Sequence, residues 1–186
     1  MLNIFVTVQS ENSIRRPIDD GLIEKISTGD TDAFRELYET ASKSVYGFAL
    51  SILKNSCDAE DVLQETFIRV FTYASSYTAK GKPMAWILRI TRNLAVAKLR
   101  EKSKNAEYDD GQSEKIDFST VTNIEKRLLL EKIFEILTDD EKQIVVLHCV
   151  SGLKYREISD ILSCPLNTVI SKYHRAIKKL RNGLEE

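Results

Sequence analysis

Residues 154–181, KYREISDILSCPLNTVISKYHRAIKKLR, decide the fold of this chain. Ile158, Ile161 and Leu162 form the apolar stripe of one helix. Ser163, Cys164 and Pro165 interrupt it, because a proline disfavours the α conformation in the residue before it yet suits the first turn of a new helix. Val169, Tyr173, Ala176, Ile177 and Leu180 then recur at three- and four-residue spacing and give a second helix its buried side. The pattern predicts a helix-turn-helix. Asn167, Thr168, Ser171, Lys172, Arg175, Lys178 and Lys179 are left to face outward, and no acid interrupts the stretch from Pro165 to Asn182. Short polar groups at a helix start reach base edges in a major groove, while the later cations, Lys178 and Lys179, meet phosphates. An amphipathic helix with a solvated basic face would show the same pattern.

Working outward, 186 residues suffice for one domain or two small ones. The 42% hydrophobic content, with seven glycines and three prolines, leans towards a helical globular protein. No apolar run approaches the ~20 residues that span a bilayer, so no membrane insertion is expected. The opening MLNIFVTVQSENSIRR has no leading basic region and no small-residue cleavage site, which argues against a secretion signal and for a cytoplasmic location. Cys57, Cys149 and Cys164 are scattered without metal-ligand spacing and read as reduced thiols.

The net charge of −1 conceals a sorting of charge along the chain. From Pro83 to Lys104 the cations Arg89, Arg92, Lys98, Arg100, Lys102 and Lys104 face the single acid Glu101. Acids gather instead at Asp58–Glu65 and Glu107–Asp117. Basic surfaces on a near-neutral protein point to a polyanion, and an acidic helix points to a separate, basic partner.

Periodicity predicts an all-α chain of two small helical domains joined by an acidic flexible linker. A short helix from Asp19 to Ser27 precedes a long one from about Asp30 to Leu53, with Asp30 as its N-cap. The next opens near Asp58 and buries Val62, Thr66, Phe67, Val70, Phe71 and Ala74; after a polar loop, 75–83, another runs from Met84 to about Lys102. The domain boundaries follow: an N-terminal extension over 1–18, a first domain over 19–104, a linker over 105–122 and a second domain over 123–186. The linker lacks periodicity and is too polar to offset its chain entropy by burial. In the second domain Ile124, Leu128, Leu129, Ile133 and Ile136 mark one helix, and Thr138 with Glu141 makes a capping box for the next.

No catalytic constellation emerges: His148 and His174 have no triad or metal partners at useful spacing, and there is no glycine-rich phosphate loop. The chain reads as a non-enzyme needing no cofactor or metal. Segment 58–71, DAEDVLQETFIRVF, sets Asp58, Asp61 and Glu65 on one face beside Gln64. That face is either solvated or a docking surface for a basic protein, with Phe67 and Val62 as apolar anchors. Segment 83–100, PMAWILRITRNLAVAKLR, sets Trp86 beside Arg89, Arg92 and Asn93. Either Trp86 belongs to the core under an arginine-rich face, or it stacks on unpaired bases whose backbone the cations hold. Tyr73, Tyr77, Lys80 and Lys82 nearby add stacking and phosphate-binding groups.

In order, GDTDAFRELYETASKSVYGFAL, DAEDVLQETFIRVF, PMAWILRITRNLAVAKLR, the acidic linker and LTDDEKQIVVLHCVSGLKYREISDIL with its second helix resemble the extracytoplasmic-function group of bacterial sigma factors, over about residues 19–183. The resemblance implies a subunit that binds core RNA polymerase, through the clamp helices of its largest subunit and its flap region, and initiates transcription on promoter DNA. It implies that Asp58, Glu60, Asp61, Gln64 and Glu65 dock on the clamp. Trp86, Arg89, Arg92 and Asn93, with Tyr77 and Lys80 of the 75–83 loop, would open and hold the minus-ten element. Asn167, Thr168, Ser171, Lys172 and Arg175 would read the minus-thirty-five element. An anti-sigma factor is the further partner it implies. The chain departs from the family's habit at Ile170, where a basic residue is common, and in the turn chemistry of Ser163, Pro165 and Asn167. The rival readings are a conventional helix-turn-helix regulator and a sigma-like decoy that binds without starting transcription.

Overall fold

A computed structural model describes residues 18–105, 133 and 135–184, and every regular element among them is helical. α1 (Asp20–Ser27), α2 (Thr31–Leu53), α3 (Ser56–Tyr73) and α4 (Pro83–Asn105) form the first unit. α5 (Asp139–Val145), a π-helical turn (Val146–Val150), α6 (Tyr155–Leu162) and α7 (Leu166–Leu184) form the second. The N-terminal extension before Ile18, nearly all of the expected linker and most of the helix expected from Asn123 lie outside the described residues.

Local chemistry sets the helix ends. Asp19 accepts the Leu22 N–H at 2.9 Å and Asp30 accepts those of Asp32 and Ala33, so each helix begins with a satisfied donor. α3 begins at Ser56, which leaves Asp58 in its first turn, and Asn55 is the cap, accepting the Asp58 N–H. Thr138 and Glu141 form the expected capping box at α5. Between α6 and α7 the chain turns on Ser163 in the left-handed region, φ 54°. Pro165 stands one residue ahead of α7 rather than within it, its carbonyl accepting the N–H groups of Thr168 and Val169.

Ala41, Val45 and Phe48 of α2, Val62, Phe67 and Val70 of α3, and Ile87, Leu88 and Ala95 of α4 fill the first core. Phe71 departs from its expected stripe and is exposed, because α3 presents only part of its apolar arc to α2 and α4; Tyr38 of α2 is exposed as well. The first core does not stop at the domain boundary. It continues into Ile144, Leu147, Leu153, Ile158, Ile161 and Val169 of the second unit, while Leu137, Val145, Ala176 and Leu180 form a smaller cluster beneath α7. α2 packs on α5 and the π turn, and α4 packs on α6.

Candidate functional site

The acids of α3 separate into two kinds. Asp61 and Glu60 are exposed, as is the neutral Gln64 beside them, and Glu65 is half-buried and holds Arg69 at 2.8 Å. Asp58 is buried between α3 and α4, with Lys98 Nζ 3.3 Å from one oxygen and Lys102 Nζ 2.5 Å from the other. It therefore serves as an internal tie, out of reach of an outside helix. The expected anchors fail for the same reason, since Val62 and Phe67 are both core residues. The apolar groups beside the acids are instead Ile68 and Phe71, 59% and 48% exposed. Helical spacings of seven and eleven residues put Phe71 close to Gln64 and Glu60 on the outer arc, a signal obscured by counting every aromatic as core. Phe71 meets Phe34 edge-on with centroids 5.5 Å apart, which extends the patch onto α2 near exposed Tyr38.

α4 follows the 75–83 loop and packs back on α3. Thr66 and Thr91 turn their hydroxyls to backbone carbonyls of their own helices, so the polar pair at the contact is satisfied. Arg89 and Asn93 are exposed and one turn apart. Trp86 is half-buried against the core, with Tyr77 at a ring separation of 4.8 Å. Tyr77 donates to Asp20 Oδ1 at 2.6 Å, and Asp20 Oδ2 accepts the Gly81 N–H at 2.7 Å. Burial, reinforced by the Asp20 carboxylate, pushes the Tyr77 hydroxyl up to about 12, so it remains a donor. Asp20, a residue the motif reading passed over, thereby pins the 75–83 loop, whose Lys80 remains exposed. Arg92 is half-buried and donates to the Leu162 carbonyl of α6 at 3.4 Å.

On α7 the expected outward set also divides. Asn167, Ser171, Arg175 and Lys178 are exposed along one face, joined by His174 and Arg181. Lys172 bonds Asp140, Lys179 bonds Glu141 at 2.7 Å, and Thr168 is half-buried. Lys172 and Lys179 thus sit at the helix edge facing α5, not on the outer face. Burial alone would raise the Glu141 carboxyl, yet Lys179 and Thr138 hold it below its ordinary value.

The arrangement offers an acidic and apolar face on α3, an arginine–asparagine face on α4 beside it, and a basic face on α7. No helix among the described residues is long and apolar enough to cross a membrane. The model of sigma-70 region 2 matches residues 37–105 and that of sigma-70 region 4 matches 127–180, one in each unit. The chain is 30% identical to the ECF RNA polymerase sigma factor SigK of Mycobacterium ulcerans (strain Agy99), over 89% of this chain and 93% of that protein. With SigW of Bacillus subtilis (strain 168) it shares 27% identity over 88% and 95%. Its fold matches the sigma factor RpoE of Bartonella quintana, solved in complex with the anti-sigma factor NepR, with a TM-score of 0.63 at 20% identity over 82% of this chain and 96% of that one. Kinship over 89% of the chain, with each sigma region falling on its own helical unit, establishes that the chain belongs to the ECF RNA polymerase sigma factors.

Proposed function

We propose that this protein directs core RNA polymerase to promoters by docking, reading and strand-holding, each on a different helix. Asp61, Gln64 and Glu65 with Ile68 and Phe71 dock on a basic, partly apolar surface of the polymerase clamp. Arg89, Asn93 and, once released from Leu162, Arg92 hold the melted minus-ten strand. Asn167, Ser171 and Arg175 read the minus-thirty-five duplex, and Lys178 meets its phosphates. The carrying observation is that the exposed acids of α3 and the exposed Arg89 and Asn93 of α4 sit on neighbouring helices of one packed unit. A subunit that must grip polymerase and promoter together needs that placement, whereas a duplex-reading regulator needs neither surface. Bond-making remains with the polymerase, no cofactor is required, and the protein acts in the cytoplasm, where an anti-sigma factor is a fitting antagonist.

Reversing Asp61 and Glu65 to Lys, or replacing Ile68 and Phe71 by Ser, should each lower affinity for purified core enzyme by about ten-fold or more, as loss of a hot-spot cluster does. The charge reversal should weaken binding most at low ionic strength, where screening is least. Unchanged core affinity in both folded variants, measured by titration alongside in vitro transcription, would remove α3 as the docking helix.

On α7 the two adjacent lysines should differ. Lys178→Ala removes an outward cation, so it should weaken binding to all promoters alike and reduce the salt slope by about one. Lys179→Ala leaves the buried Glu141 carboxylate without its cation and should lower thermal stability more than DNA affinity. Equal effects of the two on the salt slope would mean that both face DNA.

A further inference from the structure

The polar seam between α3 and α4 holds charges that docking and strand-holding do not use. Lys98 Nζ lies 2.6 Å from Asp61 Oδ2 and 3.3 Å from Asp58 Oδ1. Asp61 is 68% exposed and stands on the docking face, whereas the Asp58 side chain is 11% exposed. Asp58 Oδ2 is buried and makes no directed hydrogen bond, although Lys102 Nζ lies 2.5 Å away. A buried carboxylate depends strongly on its cations, so at least one lysine must remain with Asp58 at all times. The Asp61 hydrogen bond, followed by those with Asp58, raises the Lys98 ammonium above its ordinary value despite partial burial, so it stays charged. The most exposed acid of this seam therefore already has a cation from its own chain.

We propose that Lys98 is an internal competitor for Asp61, and that polymerase docking shifts it onto Asp58 and frees Lys102 for a polyanion. The inference rests on the docking role of Asp61. A cation of the partner can approach Asp61 from solvent, and Lys98 can yield it because Asp58 lies within its reach. Asp58 already has one ammonium group on each oxygen; once Lys98 no longer divides itself between two acids it satisfies Asp58 alone, and the more exposed cation, Lys102, is the one able to swing out. Lys102 lies on the same helix as Arg89 and Asn93. Docking on α3 is thereby transmitted to α4 as one additional free cation. Lys98 and Asp58 are positioning residues in this scheme, since neither touches polymerase or DNA.

The test uses the full chain and purified core enzyme, with affinity measured at low and moderate salt. Lys98→Met keeps the length of the side chain and removes its charge, so core affinity should rise about two- to five-fold at low salt, the scale of one exposed ion pair. Asp58→Asn removes the group onto which Lys98 retreats, so core affinity should fall by a similar factor although Asp58 is buried. Combining the two should restore the gain, a reversal that lost stability alone cannot produce. In holoenzyme, Lys102→Gln should reduce the salt slope of promoter binding, and in the isolated protein it should not. If Asp61→Asn weakens core binding while Lys98→Met fails to strengthen it, the competitor role is wrong and the docking face survives. If Asp61→Asn leaves core affinity unchanged, the docking role of Asp61 falls and this inference falls with it.

Discussion

Replacing Arg89 and Asn93 together by Ala should leave polymerase binding and closed-complex formation near wild type while reducing open complexes by about ten-fold or more. Both side chains are exposed on α4, one turn apart, and neither supports the core. Hydrogen bonds to charged groups contribute roughly 1.5–3 kcal/mol each, and groups that meet only the unpaired strand place that energy on the melted side of the equilibrium. Arg92 gives a less direct test, because its guanidinium also holds the Leu162 carbonyl of α6. Arg92→Ala would loosen a contact between the two units as well as remove a cation from the strand. Trp86 is less direct still, since its ring packs on Tyr77 and the core, where truncation leaves a cavity. Permanganate reactivity of unpaired thymines, read on promoter bound by the mutant holoenzyme, separates opening from binding. Wild-type melting in the Arg89–Asn93 variant would move the strand-holding role off this face of α4.

What the sequence made legible was whatever a single helix decides for itself. Asp30, Thr138 with Glu141, and the apolar spacing of α6 and α7 are set within one or two turns, and the structure has them as expected. The break around Ser163 was equally local. What escaped was every side chain whose partner belongs to another helix. Lys172 and Lys179 lie at the margin of the polar arc of α7, and only the acids at the start of α5 turn them inward. Asp58 has the spacing of a surface acid but meets Lys98 and Lys102 across the α3–α4 contact. Phe71 is the converse: an aromatic on an amphipathic helix whose part of the arc α2 and α4 leave uncovered. Neither the pinning of Tyr77 by Asp20 nor the union of the two cores could be read from spacing, because each joins residues far apart in the chain.

The union of the cores leads to the second large effect: Gly47→Glu should drive the two units apart and raise the affinity of the isolated protein for single-stranded minus-ten DNA. Gly47 lies on the side of α2 that meets the π turn, where an added Cβ would come 3.8 Å from Val146 Cγ1. That is ordinary contact, so Gly47→Ala should preserve the packing and serves as the matched control. A carboxylate in the same place would be forced against an apolar side chain at a cost of about 3 kcal/mol, which shifts a closed–open balance by roughly a hundred-fold. The ion pairs across the boundary are too weak to hold it alone. Lys54 bonds Asp139 at 2.7 Å with both side chains about half exposed, and Lys82 stands 3.8 Å from Glu157. Once α6 leaves α4, Arg92 loses the Leu162 carbonyl and becomes available to a phosphate. Small-angle scattering should show a larger radius of gyration for Gly47→Glu than for Gly47→Ala, with tighter oligonucleotide binding in the same variant. Expansion without a gain in affinity would mean that α6 does not limit access to the strand-holding face, and no expansion would mean that the shared core accommodates a carboxylate at position 47.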